Sequence, residues 1–127
     1  MKSLLITLLL VLSANANADI FLSSCHNYAN GRDAVGYSYQ FCLNNNFRAI
    51  EREVEGNLFL SNCSNYGETV SFSFTSCVQR NFREIERALR ATNVFLSYCS
   101  NFSRDSLDFS FTNCVNSNWR SVERALR

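Results

Sequence analysis

The chain says nearly the same thing three times, and that repetition constrains its fold more than any other feature. The block IFLSSCHNY begins at Ile20, LFLSNCSNY at Leu58 and VFLSYCSNF at Val94. Each is followed by a second matching block, YSYQFCLNNNFRAIEREVE from Tyr37, FSFTSCVQRNFREIERALR from Phe72 and FSFTNCVNSNWRSVERALR from Phe109. Phe21/Phe59/Phe95, Ser23/Ser61/Ser97, Cys25/Cys63/Cys99 and Asn27/Asn65/Asn101 are identical in all three copies of the first block. The second shares Cys42/Cys77/Cys114, Asn46/Asn81/Asn118, Arg48/Arg83/Arg120, Glu51/Glu86/Glu123 and Arg52/Arg87/Arg124. A unit of about 36 residues cannot bury its own apolar face, so units over 20–56, 58–91 and 94–127 are expected to share one core, as a single domain over 19–127.

The first 18 residues stand outside this pattern. Basic Lys2, an apolar run from Leu4 to Leu12 and the small-x-small ending Ala16-Asn17-Ala18 read as a secretory signal peptide. That run is too short to span a bilayer, and the remaining sequence has no longer one, so a secreted or periplasmic protein is expected. An oxidising destination gives the six cysteines a purpose as three disulfides. Consecutive cysteines lie 17, 21, 14, 22 and 15 positions apart, without the close Cys-x-x-Cys pairs of structural zinc sites, and neither a metal nor another cofactor is expected. Pairing within units joins Cys25 to Cys42, Cys63 to Cys77 and Cys99 to Cys114, and gives every copy its own staple. Stitching Cys42 to Cys63 and Cys77 to Cys99 is the competing symmetric arrangement.

Local patterning predicts a strand, a turn, a second strand and a helix in each unit. Val70, Phe72 and Phe74 alternate with Ser71, Ser73 and Thr75, which suggests a half-buried strand, and FLSxC suggests a shorter one before it. Asn30-Gly31 and Gly67 offer the reversal between them. After the second cysteine the period lengthens: Val78, Phe82, Ile85 and Leu89 fall on one helical stripe, with Ser76 and Asn113 as N-caps. The expected class is therefore α+β, three tandem ββα repeats (hairpin plus helix), each stapled by a disulfide and sharing one core.

Residues with chemical potential are few. His26 is the only histidine and is replaced by Ser64 and Ser100 in the other copies, which favours a surface substitution over a general base. Glu84 and Glu86 lie two apart on a helix and so diverge, which argues against a glycosidase-like carboxylate pair. No enzyme activity is expected. Asn46, Asn81 and Asn118 are read as hydrogen-bonding to the hairpin or to a neighbouring unit. Asn62-Cys63-Ser64 and Asn101-Phe102-Ser103 match the glycosylation triplet.

Arginine carries the functional expectation. Beyond the leader every basic residue is Arg, and these 11 balance 11 acidic residues, so nucleic acid is disfavoured as a partner. Arg48, Arg52, Arg83, Arg87, Arg120 and Arg124 nevertheless recur at fixed positions on the helices, and the guanidinium fork binds carboxylate, sulfate or phosphate bidentately. The expectation is a binding or structural module that meets an anionic polymer or a protein partner through these residues. The competing expectation is a small secreted effector: an inhibitor, toxin or antimicrobial protein.

Overall fold

The computed structural model describes residues 20–28, 32–54 and 56–127; the signal peptide expected over 1–18 and the reversal expected at Asn30-Gly31 lie outside the described residues. Each unit supplies an extended segment and one 17-residue helix: α1 (Tyr37–Glu53), α2 (Phe72–Ala88) and α3 (Phe109–Ala125). A 3-10 turn at Arg90–Thr92 follows α2. Among the described residues there is no strand, which corrects the α+β, ββα expectation. The strand reading assumes that Phe72 and Phe74 share one buried face. In a helix, residues two apart lie roughly 200° apart. Phe74 is fully buried and extends the Val78, Phe82, Ile85 stripe by one turn, while Phe72 is 84% exposed. Tyr37 and Tyr39, and Phe109 and Phe111, divide in the same way.

The helix starts move with this correction. Ser71, not Ser76, is the N-cap of α2, and its hydroxyl accepts the Phe74 N–H at 3.2 Å. Asp108, not Asn113, precedes α3, and its carboxylate turns back to accept the N–H groups of Phe102 and Ser103 at 2.6 and 3.2 Å. One asparagine per unit secures these entries. The side-chain carbonyls of Asn27, Asn65 and Asn101 accept the N–H groups of Gly36, Ser71 and Asp108 at 2.7, 2.7 and 2.6 Å. Their amide nitrogens donate to Ala34, Thr69 and Ser106 at 3.3, 3.0 and 3.1 Å. Loops of different length are thus closed by the same clamp. Gly67 sits in its loop at φ +101, a region that L side chains rarely adopt. Asn101 is committed to this clamp, so its triplet does not present a free amide.

The extended segments have no neighbouring strand, yet their backbones are paired, as buried amides must be. The Asn46 side chain accepts the Ser23 N–H at 3.0 Å and donates to the Ser23 carbonyl at 2.8 Å. Asn81 treats Ser61 likewise at 2.9 and 2.8 Å, and Asn118 treats Ser97 at 2.9 Å for both bonds. A carboxamide has a donor and an acceptor side by side, so it substitutes for one residue of a ladder.

Two residues further along each segment, the backbone of the first cysteine is held by the preceding unit. Asn44 of α1 holds the N–H and C=O of Cys63, both at 2.9 Å. Gln79 of α2 donates to the Cys99 carbonyl. Asn116 of α3 holds the N–H and C=O of Cys25 at 2.8 and 2.9 Å, which joins the last unit to the first. A second set of contacts runs in the same direction. Glu51, Glu86 and Glu123 accept the N–H groups of Leu60, Leu96 and Leu22 at 2.9, 2.7 and 3.0 Å. The three units therefore close into a ring.

At the centre of that ring the aromatic side chains of Phe47, Phe82 and Trp119 meet. Their centroids lie 5.4 Å apart for Phe47 and Phe82, 5.0 Å for Phe47 and Trp119, and 4.9 Å for Phe82 and Trp119. Burial at such a site is worth roughly 1.5–3 kcal/mol per large apolar side chain. Tyr39, Phe74 and Phe111, with Leu43, Val78 and Val115, extend the core along each helix. The disulfides join Cys25 to Cys42, Cys63 to Cys77 and Cys99 to Cys114, each tying the sixth residue of a helix to the extended segment of its own unit.

Candidate functional site

The aromatic residues that do not fill the core lie on the surface. Seven of the 11 phenylalanines are exposed, along with four of the five tyrosines. They recur in register: Phe21/Phe59/Phe95, Tyr37/Phe72/Phe109 and Tyr28/Tyr66/Phe102 are exposed in every unit. Core packing does not account for them.

Grooves run along the seams between units, where a helix of one unit faces the extended segment of the next. On α1 the positions Tyr37, Gln40, Phe41, Asn44 and Arg48 form one helical row. Opposite them, every second residue of the following segment, Asn62, Ser64 and Tyr66, faces the same space. The cavity between them is about 380 Å³, within the range of small-ligand sites. Arg48 separates it from a smaller cavity of about 50 Å³ beside Glu51 and Leu60.

The other two seams carry cavities at related places. Between α3 and the first unit, Phe109, Asn116 and Arg120 face Ser24 and His26 around about 270 Å³. Between α2 and the third unit, Gln79, Arg83 and Glu86 face Phe95, Ser97 and Tyr98 around about 220 Å³, which is the counterpart of the small cavity beside Arg48, Glu51 and Leu60 rather than of the larger groove. Part of each groove floor is structural: Gln40 accepts the Asn65 N–H at 3.0 Å and donates to its carbonyl at 2.9 Å, while Asn44 and Asn116 grip the backbone.

The six arginines expected to act together fall into two sets. Arg48, Arg83 and Arg120 line the seam grooves. Arg48 spends one weak hydrogen bond on Asn62, at 3.4 Å. Arg87 is engaged by Glu84 at 2.8 Å and Arg124 by Ser121 at 3.4 Å, both with neighbours on their own helix, and Arg52 is exposed. Glu86 and Glu123 each accept a backbone N–H of the next unit, and Glu123 also lies 3.9 Å from Arg127.

His26 lies in the third groove, its ring 6.2 Å from that of Tyr28. Among the described residues no cluster of three His, Cys, Asp or Glu side chains is placed to hold a metal ion. Two buried polar atoms, the Tyr39 hydroxyl and the Trp119 indole nitrogen, have no hydrogen-bond partner among the described residues. Burial pushes the Tyr39 hydroxyl far above the ordinary tyrosine range. Both lie in the core, away from the grooves.

The seam residues Asn44, Gln79 and Asn116 escape a reading of the sequence alone. Their signal is a carboxamide two positions before Asn46, Asn81 and Asn118 in each copy, on the opposite flank of the helix. The acidic residues Asp33, Glu68 and Asp105, each four positions before its helix, escape it too. Compared with known proteins, the chain matches no family model, no curated protein and no solved structure.

Proposed function

We propose that this is an exported, secreted or periplasmic binding module that presents three quasi-equivalent grooves to an anionic partner, with one guanidinium in each. The observation that carries this reading is the convergence of Arg48, Arg83 and Arg120 on the seams, each beside exposed aromatic residues. Three disulfides suit an oxidising compartment, and among the described residues no helix is long and apolar enough to cross a membrane. Near neutrality of the chain means that attraction arises at short range, through the paired donors of each fork, rather than from a long-range field.

Multivalency supplies the rest. Three weak sites on one rigid body engage a repeating partner with an avidity far above that of each alone, provided the partner spans them. The test is retention on an immobilised acidic polymer, such as polygalacturonate or dextran sulfate, compared with uncharged dextran. Retention is expected to fall with salt and to collapse when Arg48, Arg83 and Arg120 are all changed to Gln. The same changes at Arg52, Arg87 and Arg124 should leave most of it. Equal loss from both sets, or equal retention on uncharged dextran, would remove the proposed role of the grooves.

A further inference from the structure

We infer that the groove between α1 and the second unit is a saccharide subsite for a uronic-acid-bearing oligosaccharide, an inference that rests on the anionic-partner reading above. This groove differs from its two counterparts at the residues that decide what fits. Tyr37 and Phe41 stand one turn apart with centroids 6.2 Å apart and rings inclined by only 23°, forming a continuous apolar platform. Phe41 is replaced by Ser76 and Asn113 in the other helices. Tyr66 faces the platform from the next unit, and the Asp33 carboxylate borders the same cavity.

These groups together discriminate between ligand classes. A pyranose ring carries C–H bonds on its faces, which suit the negative π surface of an aromatic ring, and hydroxyls on its rim, which need both donors and acceptors. Asp33 accepts, Arg48 donates, and Asn62 and Ser64 do both. A uronate carboxylate adds the bidentate partner that Arg48 lacks among the described residues. Polyphosphate offers no C–H face to the rings of Tyr37, Phe41 and Tyr66 and no hydroxyl for Asp33 to accept from. An organic cation would suit the rings and Asp33 but be opposed by Arg48. From Tyr37 to Arg48 the helical row extends about 16 Å, long enough for a short oligosaccharide rather than a single sugar.

The test is calorimetric titration of the intact, oxidised protein with short oligomers of galacturonate, of mannuronate and of alternating glucuronate and N-acetylglucosamine. A neutral cello-oligosaccharide and a short polyphosphate serve as comparisons. At least one acidic oligosaccharide should bind, and Tyr37→Ala, Tyr66→Ala and Arg48→Gln should each weaken it tenfold or more, with Arg52→Gln changing it less than twofold. Trp119 fluorescence, from the centre of the core, should be unchanged in every variant. Polyphosphate binding that matches the sugars and ignores Tyr37→Ala and Tyr66→Ala would overturn the inference while leaving the anionic-partner reading intact. Neutral-sugar binding that ignores Arg48→Gln would overturn the uronate assignment and count against the anionic reading as well. No binding by any acidic oligosaccharide would overturn the inference.

Discussion

The side-chain amide of Asn116 pairs with both the N–H and the C=O of Cys25, 91 residues earlier in the chain, at 2.8 and 2.9 Å. Asn44 makes the same double contact with Cys63, so the seam between the last unit and the first has the chemistry of an internal one. Replacing Asn116 with Ala strands two buried backbone groups, each worth about 1–3 kcal/mol when left unpaired. Urea unfolding should show Asn116→Ala destabilising by about 2–5 kcal/mol, and Asn44→Ala by a similar amount. A loss below about 0.5 kcal/mol for Asn116→Ala alone would mean that the ring is open.

Asn81 offers a sharper probe because Asp is its near-isostere without the donor. In Asn81→Asp a carboxylate would face the Ser61 carbonyl and lose the bond now made at 2.8 Å. An uncompensated buried charge costs on the order of 3–5 kcal/mol. Burial and the facing carbonyl both raise the new carboxyl's pKa in the folded state. The stability it contributes is therefore recovered on acidification, when the protonated acid can donate to Ser61, and is lost as pH rises through the raised value. Melting temperatures from pH 4 to 8 should show the variant closing on the parent at the acid end. A constant gap would contradict the pairing.

Tyr39 occupies the position of Phe74 and Phe111 but buries a hydroxyl with no partner among the described residues. Tyr39→Phe should raise stability by about 1 kcal/mol at neutral pH, because it removes an unsatisfied donor and leaves the ring. Its pKa is raised in the folded state, so the folded protein holds this proton more tightly than the unfolded chain. Stability is then lost as pH rises past the unfolded tyrosine value of about 10. Tyr39→Phe should lack that component, and denaturant melts at pH 7 and above pH 10 will separate the two effects. A variant less stable than the parent at pH 7 would show that the hydroxyl has a partner.

Each disulfide closes a short loop, 17, 14 or 15 residues in sequence separation. Removing the Cys63–Cys77 bridge by a double change to Ala should cost roughly 3 kcal/mol, chiefly by freeing the unfolded chain. Equilibrium unfolding of the doubly changed protein gives the number. Near-zero cost would indicate that the Asn81 clamp on Ser61 already holds the segment without the bridge.

The threefold division, the helical stripe and the arginine positions were legible in the sequence because they depend on residue type at fixed spacing. The beginning of each helix was not. Phe72-Ser73-Phe74 satisfies a half-buried strand and a helix with one Phe turned outward, and only the surface role of Phe72 separates them. The grooves were hidden for a different reason. Repeated residues show that the units resemble one another, but they do not show whether Asn44 reaches its own extended segment or the next. That choice follows from Asn44 and Asn46 lying on opposite flanks of one helix, each within reach of a different extended segment. The seam-lining row on α1 becomes apparent only once that choice is made.

Because Glu123 and Asn116 hold Leu22 and Cys25 as Glu51 and Asn44 hold Leu60 and Cys63, the order of the units along the polypeptide is arbitrary to their packing. A circular permutant with its break at Gly56-Asn57, and a peptide link bringing Arg127 to Ile20, should reach the same architecture. One unit supplied as a separate peptide could complement the other two, which would make the molecule a trimer in all but connectivity.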